Sequence, residues 1–532
     1  MKFISWCALG FFATILHAQA RQLGAQDVVI LYNSSSEESK ELAKFYSEAR
    51  KIPEEQLVGF NMPLAADISR AEYEKSILSP LRDHFDEKNW WTRRPDSNGR
   101  MLPMKNKIRV IAIMRGVPLR IQPTPLPPDP NVNANQPPAP PSPQDPFRGR
   151  DDASVDSELL TFGIDGLPTL GGLNHDFFKS EKSITETNFP FLVLTCRIDA
   201  ASLETCKRMI RDAIETEKSG LWGLSYIDVA NKFPEGDQWM EANFRANQSR
   251  GIPTVIDRFN ETLPNSYPMT SAATYYGWYD WSVSGPFLNP MFKFRRGAIA
   301  VHLHSFSAEQ LSDSQKNWCA PLLERGAACT VGNVYEPYLH MSHHLSILHQ
   351  RLLDGHTFVD AAWMSMPATS WQGIALGDPL YRPFAHLRGT GEVLDADRPY
   401  RALRAASLQW PADQSKRLKE LDRAADRMKS GEIREAVGLA QAQSGHFAEA
   451  TQTFLAAKVD LVSPTEKMRQ DFHTIAMNRA NGRNQLAIRG LHDAAMRYAN
   501  MPEAAAVKAW LDILEPPPPP PAAAPANSQP TH

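Results

Sequence analysis

His302 and His304 stand two residues apart in Val301-His302-Leu303-His304-Ser305, a run that reads as a strand and its exit. That spacing puts both imidazoles on one face of a strand. Two such rings are part of a zinc or copper site, but the pair lacks a third ligand, so hydrogen-bonded histidines are the simpler reading and no metal is expected. Ser305 beside His304 has the chemistry of a nucleophile beside a base, yet adjacent strand residues point to opposite faces, which argues against a Ser-His pair. Asp228 in Tyr226-Ile227-Asp228 and Glu336 in Gly332-Asn333-Val334-Tyr335-Glu336 each follow an apolar run and are further acid/base candidates. Asp156 and Glu158 would share a face if their segment is extended, where paired carboxylates serve acid/base work or hold a cation. Solvated loop charges are the favoured reading of this pair. The densest aromatic cluster, Tyr275-Tyr276-Gly277-Trp278-Tyr279-Asp280-Trp281, has the rings to floor a ligand site or to fill a core.

The elements that must position these residues alternate between strand and helix. Asp27 to Tyr32 and Ile108 to Met114 are apolar throughout, as expected of strands covered on both faces. Leu57 to Asn61, Phe191 to Leu194, Leu221 to Tyr226, Ala298 to Leu303 and Ala327 to Val331 extend the series. Helical spacing connects them: Leu42, Phe45 and Ala49; then Tyr73, Ile77, Leu81 and Phe85 behind a Ser69/Glu72 capping box; then Leu203, Ile210 and Ile214. Further helices are expected near Leu345 to Leu353 and Phe358 to Met364. The pattern predicts an α/β fold, a doubly wound, mostly parallel sheet spanning residues 21–390. Ligands of such sheets bind beyond the carboxyl ends of the strands. By that rule Arg115, Arg197, Tyr276, Trp278, Trp281, Asn333 and Tyr335 become binding candidates. Gly377-Asp378-Pro379 reads as a turn capped by its own Asp.

Beyond residue 390 the composition changes. Residues 391–415 are expected as a linker, and 416–514, Ala-rich and without strand runs, as an all-α region. Leu439, Ala440, Gly445, Phe447, Ala450, Phe454 and Ala457 match half of a tetratricopeptide repeat or an ordinary helical hairpin packed on the main domain. Two stretches are unable to pack on composition: the proline-rich insertion 122–150 and the Pro/Ala-rich tail 515–532.

The first twenty residues hold Lys2, an apolar run from Phe3 to Leu16 and Ala18-Gln19-Ala20, the features of a cleaved signal peptide. The apolar run is shorter than the ~20 residues that span a bilayer. The mature protein is therefore expected outside the cytoplasm, with no transmembrane segment after cleavage. The full chain's formal charge of -3, which becomes -4 once Lys2 is removed, and the lack of a basic stripe argue against nucleic acid as a partner. Cys196, Cys206, Cys319 and Cys329 remain after cleavage, and none pairs at a metal-ligand spacing; buried thiols are favoured over one disulfide. No phosphate loop, dinucleotide fingerprint, Gly-x-Ser-x-Gly elbow or zinc-protease motif is present. The cofactor is left undetermined.

The runs VVILYNSSSEESKELAKFYSEARKIPEEQL, RGVPLRI, DSEL, YYGWYDWSVSGPF, GAIAVHLHSFSA, LLERGAACTVGNVYEPYL and SWQGIALGDPLYRPF resemble, in that order, a bacterial family of exported proteins found in genomes that encode exosortase. The resemblance covers about residues 25–385 and implies a role linked to protein sorting or exopolysaccharide at the bacterial envelope, periplasmic or extracellular. A more distant resemblance is to gingipain-type cysteine peptidases of the caspase-like fold. There one strand ends in Gly-His and another in the nucleophilic Cys. This chain has Gly277-Trp278 at the first place and His304-Ser305 at the second, so the thiolate-imidazole route to peptide cleavage is lost. Two readings follow. One is a non-peptidase binding or assembly factor with an envelope protein or peptide as partner. The other is a hydrolase or transferase on peptide or glycan, using His302, His304, Asp228 or Glu336 in a rearranged site.

Overall fold

A computed structural model describes residues 21–125 and 150–516. The expected signal segment, nearly all of the proline-rich insertion and nearly all of the tail lie outside the described residues. The flanks of the insertion, Arg120–Ile121 and Ala153–Ser154, pair antiparallel, so both its ends leave the domain at one point.

Ten strands form the main sheet: β1 (Val28–Asn33), β2 (Leu57–Phe60), β3 (Val110–Met114), β4 (Leu194–Ile198), β5 (Leu224–Asp228), β6 (Thr254–Asp257), β7 (Ala272–Gly277), β8 (Ile299–His302), β9 (Thr330–Asn333) and β10 (Gly373–Leu376). Six of them lie in the order β9-β10-β4-β3-β1-β2 and four in the order β6-β5-β7-β8. The two sets are joined by a parallel bridge between Ile299 and Cys329, with Ala328 N–H donating to Ala298 O and Ala300 N–H to Cys329 O. Every neighbouring pair is parallel except β9 with β10.

The sheet is thus two halves back to back, β2-β1-β3-β4-β10 and β6-β5-β7-β8-β9. Taken in chain order, each half has the strand order 2-1-3-4-5, and a pseudo-twofold axis passes between β9 and β10. The second half is inserted before the last strand of the first. Because the halves run in opposite directions, their carboxyl ends lie on opposite edges of the sheet. No single-sequence periodicity marks this duplication.

Alternation along β1 shows why the strands are apolar throughout. Val28 and Ile30 pack with Leu42 and Tyr46 of α1 (Glu37–Arg50) and with Met209 and Ile210 of α2 (Leu203–Ser219). Val29 and Leu31 enter a second core with Tyr73, Ile77, Leu81 and Phe85. The Ser69/Glu72 capping box forms as expected and starts this latter helical segment. In the second half, α3 (Pro234–Arg250) follows β5, and α4 (Leu345–Leu353) and α5 (Phe358–Met364) follow β9.

Residues 391–415, expected as a linker, contain helix α6 (Arg398–Gln409). Tyr400, Leu403 and Ala406 are buried, and Arg404 donates to the carbonyls of Leu387 and Arg250. The polar, proline-interrupted sequence hid the apolar stripe that docks it. The all-α region continues as α7 (Gln414–Met428), α8 (Gly431–Gln443), α9 (Phe447–Asp460), α10 (Pro464–Ala480), α11 (Asn484–Arg497) and α12 (Ala504–Leu514). It is bound to the α/β domain by a buried network: Arg469 chelates Glu435, His473 bonds the same carboxylate at 2.7 Å, and Arg469 reaches Thr270. Among the described residues no helix is long and apolar enough to cross a membrane.

Candidate functional site

The tips of β5, β7, β8 and β9 make one edge of the sheet, and the sequence candidates divide there by depth. β7 and β8 are neighbours in register, with Gly277 opposite His302 and Leu303 N–H donating to Gly277 O. The Trp278 and His304 segments therefore leave the sheet side by side.

His302 is buried and structural. Asp280 N–H donates to its Nε2 at 3.0 Å, which leaves the proton on Nδ1 to be donated to Tyr275 Oη at 2.9 Å. Its ring stacks on Trp318 with centroids 3.4 Å apart and planes within 8°. Desolvation, with His304 adding to it, holds this imidazole well below the ordinary histidine range, so it stays neutral. Both nitrogens are committed, and neither proton transfer to a substrate nor metal ligation is open to it.

His304 sits shallower. Its Nδ1 lies 2.6 Å from the carbonyl oxygen of Ser305, not from the Ser305 hydroxyl, so the proton is on Nδ1 and the lone pair on Nε2. Ser305 is thus no nucleophile activated by its neighbour. Tyr279 and Trp281 flank the His304 ring at centroid distances of 5.2 and 5.0 Å. The strip continues to Phe233 beyond Tyr279 (5.6 Å) and to Phe306 beyond Trp281 (5.8 Å). Phe233, Tyr279 and Trp281 are 48, 42 and 65% exposed. Phe306 has φ of +58°, a conformation that a bulky side chain adopts at a cost of order 1–3 kcal/mol. The loop is held there by Phe306 N–H to Tyr335 O at 2.9 Å and by Asn333 Nδ2 to His304 O at 3.5 Å.

Trp278, expected to bind ligand, is 1% exposed and packs against α3 instead. Its Nε1–H donates to Asp237 at 3.0 Å, and its ring presses on Gly236, where a Cβ would fall 2.2 Å away. Tyr276 is likewise buried: its hydroxyl meets His349 Nδ1 at 3.1 Å under α4, on the face opposite Tyr275. Asp228 is buried at the tip of β5, with Oδ2 accepting from Leu263 N–H. Glu336 accepts from Tyr338 N–H and closes a turn. Tyr335 is half-buried, with its ring under Arg120 at 5.5 Å. No hydrogen bond joins any two of Asp228, His302, His304 and Glu336 among the described residues.

Arg115 and Arg197 belong to the opposite edge. Arg115 bonds Glu38, Asp199 and the Ala200 carbonyl. Arg197 is fully buried, forked onto Asp156 and donating to the carbonyls of Val117 and Pro118 at 2.8 and 2.9 Å. Every guanidinium nitrogen of Arg197 is taken up by the fold, as are Nε and Nη1 of Arg115. Asp156 and Glu158 do not share an extended face, because Val155–Leu159 is a helix. Asp156 turns to Arg197, and Glu158 turns to Arg70 and Ser370. Asp378 caps its turn as expected, accepting from Leu380 N–H, and also takes Tyr46 and Arg50.

All four described cysteines are free and buried. Burial raises each thiol, Cys319 to about 12, so none supplies a thiolate. Among the described residues no group of three His, Cys, Asp or Glu is placed to hold a metal. Sequence reasoning missed Phe233, Phe306 and the Trp318 stack. Phe233 and Trp318 lie 42 and 37 residues from the nearest ends of the aromatic run, Tyr275 and Trp281, and carried no local signal. A scan against protein-family models and searches of curated proteins and of solved structures found no match.

Proposed function

We propose that this protein is an exported, non-peptidase binding factor of the bacterial envelope, and that the ring strip Phe233–Tyr279–His304–Trp281–Phe306 is its contact surface for a protein or peptide partner. The observation that carries the reading is exposure: three large aromatic side chains stand out of the surface in one line, on a framework of buried polar bonds. Exposed aromatic anchors of this kind supply most of the energy of many protein contacts. The exosortase link and the caspase-like ancestry belong to the same proposal. The adjacency of the Trp278 and His304 tips, with no thiol near ionisation, is consistent with a peptidase-like framework whose dyad is gone.

The rearranged hydrolase or transferase is the weaker reading. It requires two of His302, His304, Asp228 and Glu336 within hydrogen-bond reach of each other, and the absence of a hydrogen bond between any two of them among the described residues weighs against it.

Probing immobilised peptide and glycan arrays with the wild-type protein and with a Tyr279→Ala/Trp281→Ala variant tests the proposal. Peptide spots bound by the wild type and lost by the variant are expected. Binding confined to glycans, binding unchanged in the variant, or release of cleaved products from either array refutes it.

A further inference from the structure

A second, unrelated feature lies where the all-α region meets the tip of β6. A cavity of about 590 Å³ opens there, within the range of small-molecule sites. Its walls mix polar groups with apolar side chains, Val255, Tyr267, Phe447, Phe454 and Met477 among them. Exposed Arg258 and Gln443, 3.4 Å apart, stand at its mouth.

Three polar groups line this cavity and are each more than nine-tenths buried, yet each keeps an atom without a partner: Asp257 Oδ2, Arg479 Nη1 and Trp510 Nε1. The Arg479 guanidinium lies 3.7 Å over the Phe259 ring and 5.1 Å from Trp510, and spends Nη2 on Glu261 at 2.6 Å. Its position is fixed while Nη1 has no hydrogen-bond partner. A buried donor left unmade costs about 1–3 kcal/mol, so two in one cavity, from Arg479 and Trp510, call for an acceptor that serves both. A carboxylate has two oxygens and a charge to match the guanidinium.

We propose that this cavity binds a ligand with a carboxylate at the end of an apolar body, the carboxylate accepting from Arg479 Nη1 and Trp510 Nε1 and the body lying along the aromatic wall. Free fatty acids and the C-terminus of an apolar peptide share this chemistry. The neighbouring charges allow it. Burial pushes the Asp257 carboxyl up to about 7, with Glu261 adding to the rise and the Phe259 N–H bond and Arg479 opposing it. At neutral pH Asp257 is therefore in part a neutral acid that does not repel an incoming carboxylate. Asp228, on the adjacent strand tip, is raised further by burial and by Asp257 itself. His473 is engaged by Glu435 and Arg258 by Glu241, so neither competes for the ligand.

Calorimetric titration of the full chain decides the matter, with decanoate and decanamide in one arm and N-acetyl-Leu-Leu-Phe, as free acid and as amide, in the other. At least one acid should bind, and its amide should bind at least tenfold more weakly. The acid that binds more tightly names the source. Arg479→Gln should weaken the acid at least tenfold, and Trp510→Phe, which keeps the ring and deletes the donor, should weaken it several-fold. Ala476→Trp, which fills the cavity from α10, should abolish binding while the thermal transition is kept. No heat from either acid, equal affinity of acid and amide, or binding retained in folded Ala476→Trp overturns the proposal.

Discussion

Trp278 and Trp281 are three residues apart, and replacing each with Ala should separate stability from binding. Trp278 is buried against Gly236 of α3, so its loss opens a cavity the size of an indole and removes one of the donors to Asp237; a cost of about 3–5 kcal/mol is expected. Trp281 has 65% of its surface in water. Its truncation removes little packing, and stability should stay within about 0.5 kcal/mol of wild type. The same exposure sets what it offers a partner. Roughly two-thirds of an indole-bearing side chain of about 250 Å², at about 25 cal/mol per Å², gives a ceiling of about 4 kcal/mol. An aromatic anchor that realises half of this loses about 2 kcal/mol on truncation, which is about a 30-fold weaker complex. Urea unfolding followed by far-ultraviolet circular dichroism reads the first quantity as a shift in midpoint at constant slope. Titration of the strongest peptide from the array reads the second. The reasoning fails if Trp278→Ala unfolds within 1 kcal/mol of wild type, if Trp281→Ala loses more than about 1.5 kcal/mol, or if Trp281→Ala binds as tightly as its parent.

Three further outcomes follow from the buried polar groups. Nitrogen-15 spectra of the histidine rings should show His302 as the neutral Nδ1–H tautomer at pH 5.5, since burial lowers its pKa well below the usual value; an imidazolium signal at that pH would contradict the assigned bonds. Asp156→Ala should cost about 3–5 kcal/mol, because it takes the forked carboxylate from a buried Arg197 and leaves only Asp199 at 3.6 Å, and a loss under 1 kcal/mol in urea would show that the fork is dispensable. Asp257 binds its proton more tightly folded than unfolded. Its contribution to stability is therefore fully present below pH 4 and lost as pH rises to about 7, with an upper bound on the order of 4 kcal/mol shared with Asp228. Asp257→Asn should accordingly be more stable than wild type at pH 8 and close to it at pH 4; the reverse order would disprove the assignment.

What the residues alone determined is the local part of this protein. Strand cores such as Val110–Met114 are apolar on every residue because both faces of the sheet are covered, and that is visible in any window of five. Capping at Ser69 and the helices Leu345–Leu353 and Phe358–Met364 are equally local, fixed by hydrogen bonds and spacing within a few residues. The α/β class and the all-α end were legible for that reason. Pairing between distant segments was not. That β9 runs against β10, so that Arg115 and Arg197 face away from His304, depends on pairing between residues 40 or more apart. Burial followed the same rule. Trp278 and Trp281 are chemically identical in sequence, and only the approach of Gly236 from α3 made one a core residue and left the other in water. His302 and His304 were separated in the same way, the first by Trp318 stacking on it from 16 residues further along the chain. The idle donors of Arg479 and Trp510 meet Asp257 only because the helices fold back on the sheet, a closure that no local pattern encodes.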